Sequence, residues 1–89
     1  MDQDILTRAI GEGRVVEFRY HGEHRVVEPY RLGVHSGRLT LKGWQSRKGW
    51  RTFHVDEIAD LEPTERVFDT PREGYARGDD TLDRILAEA

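Results

Sequence analysis

Cysteine is absent from these 89 residues, which excludes disulfides and thiolate zinc sites and removes any sign of an oxidising compartment. No apolar run approaches the length needed to cross a bilayer. The opening Met1 to Ile5 has neither the basic start nor the apolar stretch of a secretory leader. A soluble, cytoplasmic protein without membrane partners is the expectation. There is no internal repeat and no low-complexity tract. A nucleophile elbow, a Gly-rich phosphate loop and a clear acid–base pair are all missing, so a non-catalytic protein is expected and no cofactor is called for. Of the four histidines, His21 and His24 have a ligand-like spacing but no third ligand nearby in sequence, so they read as surface residues rather than a metal site.

The most informative absence is local. From Pro29 to Val55 there is no Asp or Glu, while Arg31, Arg38, Lys42, Arg47, Lys48 and Arg51 fall within that stretch. The stretch carries +6, the whole chain −3 and the remainder −9. A pI near 5.8 argues against general coating of nucleic acid and leaves room for a local basic site.

What is present fits one domain with a small core, since apolar residues make up 36% and charged residues 35% of the chain. Asp2 to Gly11 reads as a short helix with Ile5, Leu6, Ala9 and Ile10 on one face. Asp2 or Asp4 stands at its start, and Gly11 and Gly13 at its end. Arg14 to Tyr20 alternates as a half-buried strand with Val16, Phe18 and Tyr20 inward. A turn at 21–24 leads to a second strand, about Arg25 to His35, with Val26, Tyr30, Leu32 and Val34 on one parity. Pro29 marks an edge, bend or bulge there. Ser36-Gly37 signals a tight turn. Arg38 to Trp44 forms the third strand, with Leu39 and Leu41 inward and Arg38, Thr40, Lys42 and Trp44 outward. A basic loop precedes the fourth strand, Trp50 to Val55. Asp56-Glu57 reads as a helical turn before a fifth strand, Ile58 to about Val67.

The fold class expected is α+β, mainly β. Five short strands behind one helix suggest a small barrel over residues 1–68 whose closure removes exposed edges. Residues 69–80 read as a linker. Residues 81–89 read as a C-terminal helix with Leu82, Ile85 and Leu86 as its apolar stripe.

Several runs together resemble a WYL domain. They are Ala9-Ile10, the strand from Val16 to Tyr20, the run from Arg25 to Leu32, the run from Gly37 to Trp44, the run from Arg51 to Ile58, and Leu61-Glu62. The resemblance spans roughly residues 4–68. It implies an Sm-like, SH3-type barrel. It also implies a ligand-sensing role in bacterial transcriptional regulators, some tied to DNA damage or phage defence. In several such proteins a basic cleft takes single-stranded nucleic acid. The naming triplet falls on Leu39-Thr40-Leu41, which keeps only its last residue. The family's basic positions after Arg51-Thr-Phe53 fall on His54 and Glu57. A solitary module without a helix-turn-helix is expected.

The ligand-binding candidates are therefore Arg31, Arg38, Lys42, Trp44, Arg51 and His54. They would take single-stranded nucleic acid or a phosphorylated small ligand, with cations on phosphates and rings stacking on bases. A solvated strand surface is the plainer reading of the same residues. Strict alternation sets Arg51 with Phe53 rather than His54, so either a bulge re-aims it or its stem is buried with its head emerging. The other functional reading is a protein-interaction or oligomerisation module. It would use the acidic surface and the Leu82, Ile85 and Leu86 stripe, against this chain or a second copy.

Overall fold

The first helix, α1 (Asp2–Glu12), is held by its apolar face: Leu6, Ala9 and Ile10 are buried against the sheet. Two of its three acidic residues, Asp2 and Asp4, lie in the first turn, where they complement the helix dipole. The computed structural model describes residues 2–68 and 82–89. The strands are β1 (Arg14–Tyr20), β2 (Glu23–His35), β3 (Arg38–Gln45), β4 (Gly49–His54), β5 (Ile58–Val67) and β6 (Arg84–Glu88). A 3-10 turn, Val55–Glu57, joins β4 to β5, where the sequence predicts a helical turn.

All strand pairs are antiparallel, in the order β4-β3-β2-β1-β5, with β6 on β2. The two hairpins beside β2 turn on His21-Gly22 and Ser36-Gly37, and all four residues have positive φ. That pattern matches the right-handed twist of the flanking strands, and it fixes register on both sides of β2. Inside the sheet Phe18 and Tyr20 each meet Phe53 edge to face, with centroids 5.0 Å apart. Val16, Val27, Leu32 and Leu41 complete a core with few polar atoms.

Three expectations need correction. The barrel is not closed: among the described residues the path ends at β4 and β5, and no ladder joins them. The 3-10 turn carries the chain away before β4 can lengthen, and α1 covers part of the core instead. No C-terminal helix forms, because residues 84–88 are a strand. A segment this short has little helical stability of its own. Beyond the stretch paired with β1, the edge of β2 offers backbone bonds that a helix would forgo. Spacing that mimics a helical stripe therefore serves an edge strand. The stripe is divided accordingly: Leu82 is buried, Ile85 is exposed and Leu86 is half-buried. The third correction is in β2, where Val27 rather than Val26 points inward. The ladder to β3 shifts between Pro29 and Arg31, so parity changes there and Leu32 returns to the core. The expected linker at 69–80 lies outside the described residues.

Candidate ligand-binding face

The ladders set the outward face of β2, β3 and β4 into rows, because residues directly paired across strands share a face. Thr52, Lys42, Arg31 and Glu88 form one row across β4, β3, β2 and β6. The next row holds His54, Thr40 and Gly33, followed by Arg38 and His35. On the other side Trp50, Trp44 and Glu28 align.

A cavity of about 200 Å³ opens among the middle rows, lined by His35, Thr40, Lys42, Thr52, His54 and Leu82. Thr40 forms its floor: it is almost fully buried and donates from Oγ1 to the Arg38 carbonyl at 3.0 Å. Thr40, the middle residue of the triplet, thus places a short hydroxyl side chain at the cavity floor. Leu39, its neighbour, packs toward the core as its parity requires. His54 is fixed from within, since its backbone N–H donates to the Tyr20 hydroxyl at 3.0 Å. Its Nδ1 is buried and finds no hydrogen-bond partner among the described residues. A buried ring nitrogen without a partner is uncommon, because the lost bond is not repaid by water.

The remaining predicted residues do not converge on this cavity. Arg31 is buried, and its Nε and Nη2 donate to Glu88 Oε2 at 3.0 and 2.7 Å. Arg38 is exposed and donates from Nη2 to Asp56 Oδ1 at 2.8 Å and Glu57 Oε2 at 2.7 Å. Both bonds raise its pKa above the ordinary guanidinium value. Glu57 also meets His21 Nε2. That contact first, and Arg38 second, hold the Glu57 carboxyl down to about 2. Trp44 packs edge to face on Trp50 at 5.6 Å, and Trp50 packs on Tyr30 at 5.0 Å, forming an aromatic ridge beside the cavity. Arg51 is exposed opposite Gly43, on the parity of Phe53. The β3–β4 register runs unbroken there, so no bulge turns it toward His54. Of the apolar stripe, Leu82 closes one wall of the cavity and Leu86 borders a shallow hollow beside α1 with Thr7 and Gly11.

Thr52, His35 and Glu88 are site residues that sequence reasoning did not select. The parity of Thr52 with His54 signals it; Glu88 becomes visible only once β6 is a strand. A larger hollow of about 570 Å³ lies between α1 and β5. Its charges are of mixed sign, and its Arg14 already donates to Glu12 and the Thr64 carbonyl. Among the described residues no cluster of three or more potential metal ligands exists. His21 lies on Glu57, and His24 Nε2 is 3.3 Å from Glu17 Oε1. No described helix is long and apolar enough to cross a membrane.

A family model described as the WYL domain matches residues 3–63. Among solved structures, Proteasome accessory factor B/C (PafBC) of Arthrobacter aurescens is similar, with 30% identity and a TM-score of 0.69. The match covers 74% of this chain and only 11% of that one. Among curated proteins no match is found.

Proposed function

The chain belongs to the WYL-domain family, and from that premise we propose that it is a non-catalytic, regulatory ligand-binding domain. Its ligand is a phosphate-bearing group, on a short single-stranded nucleic acid or a phosphorylated small molecule, and its setting is transcriptional or defence regulation. The observation that carries this reading is the cavity. An ammonium, two imidazoles and the Thr52 hydroxyl line it, at Lys42, His35, His54 and Thr52, over the floor of Thr40, whose own hydroxyl already donates to the Arg38 carbonyl. The first four are groups suited to phosphate oxygens. They sit on rigid strands beside the Trp44–Trp50 ridge, on which a base can stack. Arg38 belongs to the approach rather than the centre, and Arg51, on the parity of Phe53, lies off this face. The Sm-like description of the fold is part of the same reading, supported by the strand order and the 3-10 turn between β4 and β5.

The test is fluorescence anisotropy with labelled, 5′-phosphorylated short single strands of DNA and RNA at low and near-physiological salt. Binding that weakens with salt is expected, and Lys42→Ala should weaken it by about tenfold, with Arg51→Ala doing less. Absence of binding even at low salt, or full binding by Lys42→Ala, would remove the cavity as the site.

A further inference from the structure

The row His54, Thr40 and Gly33 crosses β4, β3 and β2 to the edge taken by β6. Gly33 has no side chain, and the last segment fills its place. A carbon added there would lie 2.8 Å from a Leu82 methyl carbon and 2.2 Å from the Arg84 carbonyl oxygen. The cavity therefore has an apolar end at Leu82, and that end is firmly held. Leu82 is only 5% exposed. Beside it the Asp83 N–H donates to the Val34 carbonyl at 2.7 Å, and the Asp83 carboxylate accepts from the Ser36 N–H at 2.8 Å. β6 then pairs with β2, while Ala87 and Ala89 pack on the core. The floor offers no donor, because the Thr40 hydroxyl is turned to the Arg38 carbonyl.

The rim carries the polar groups. Thr52 is exposed on β4. The buried Nδ1 of His54 has no partner among the described residues, so a neutral ring keeps its proton on Nε2 and turns that donor outward. These two donors, with the charge of Lys42 beside them, suit a group rich in acceptor oxygens. A phosphate monoester has three such oxygens and a charge of about −1.5 to −2. A phosphodiester inside a strand has fewer free oxygens, less charge and a chain on each side. Size points the same way. The cavity, about 200 Å³, falls below the roughly 300–1,000 Å³ of pockets that enclose a whole small molecule. It holds a group, not a molecule. One chain can reach that group from the rim; a second has no way out past Leu82.

We infer that the cavity is an end-stop, which seats a phosphate monoester at the terminus of its ligand and rejects a phosphodiester inside a strand. This rests on the reading of the same cavity as the phosphate site, and it names which phosphate the site takes. A strand is thereby read by its end, and a closed circle of the same sequence is passed over.

The experiment titrates the full chain, followed by NMR, with one short DNA strand in several forms: with a 5′-phosphate, with a 3′-phosphate, with either phosphate blocked as its methyl ester, and with no terminal phosphate. A nucleoside monophosphate is the strand-free probe. At least one end-phosphorylated form should bind about tenfold tighter than the blocked and unphosphorylated forms, the loss expected when charge-assisted hydrogen bonds are removed. Only probes with a free monoester should shift the Leu82 methyl and Thr52 amide signals. The preferred end then names the source, and a nucleoside monophosphate that binds as tightly as the strand assigns the monoester to a free small molecule. Thr52→Val, at an exposed strand position, should narrow the preference, and Leu82→Ala should admit the blocked forms. Unmoved Leu82 signals together with an undiminished preference in Thr52→Val would place the monoester elsewhere and overturn the end-stop. Equal affinity for free, blocked and absent end phosphates, with Lys42→Ala still weakening all of them, would also overturn it and leave the cavity reading intact. No binding of any probe would overturn both.

Discussion

Arg31 and Arg38 lie on neighbouring strands of one face, and both hold carboxylates brought from outside the basic stretch. Arg38 does so in the open, against Asp56 and Glu57 at the 3-10 turn. Arg31 does so buried, with a side chain only 2% exposed against Glu88. Exposed pairs of long side chains contribute little to stability, because water solvates either partner once they part. A buried guanidinium has no such refuge, and losing its partner strands a charge. The comparison teaches that positive charge counted along a sequence is not positive charge available to a ligand. Acidic residues from outside the basic stretch fold back onto its arginines, at Arg38 and at Arg31, at very different energetic stakes.

The comparison breaks most sharply at the buried end. Arg31→Met should cost about 3 kcal/mol in denaturant unfolding, since it leaves Glu88 without its main cation. An effect no larger than a surface substitution would show that the pair is as loose as Arg38's. Next in size is Tyr20→Phe, which deletes the acceptor of the His54 N–H and should cost about 1 kcal/mol. Faster exchange of the His54 amide should accompany it, with Leu41 unaffected. Smallest is the exposed end. Glu57, held down to about 2 from an ordinary 4.5, favours the folded state above its ordinary range, and that contribution fades as pH falls from about 4.5 to about 2. Glu57→Gln should flatten this part of the acid-unfolding curve and barely move the midpoint at pH 7. A large loss at pH 7 would mean that the turn depends on this carboxylate far more than its exposure implies.

Much of the fold is legible in the sequence because strand alternation and turn chemistry agree. Phe18 with Tyr20, Leu39 with Leu41, and the Ser36-Gly37 turn all stand where periodicity sets them. Pro29 announces an irregularity, but a proline does not say on which side parity resumes, so Val26 and Val27 exchange roles. The last segment is illegible for a different reason. Apolar residues at 82, 85 and 86 suit a helical stripe as well as an edge strand, and the choice is made by a free edge of β2 elsewhere in the molecule. Lys42 and His54 could be chosen from strand parity and resemblance. Their company with Leu82 could not, because it depends on β6. Arg51 shows the converse, since alternation alone places it correctly, apart from His54.

Gly33 has a further consequence, for solubility. A strand edge left bare is a template for another chain, and β2 is long enough to recruit one wherever β1 does not cover it. The hydrogen atom on that residue admits the chain's own last strand to that edge. Any larger residue at 33 would leave the edge open to other copies and uncover the core beside Leu82, Ala87 and Ala89, so aggregation would follow its size.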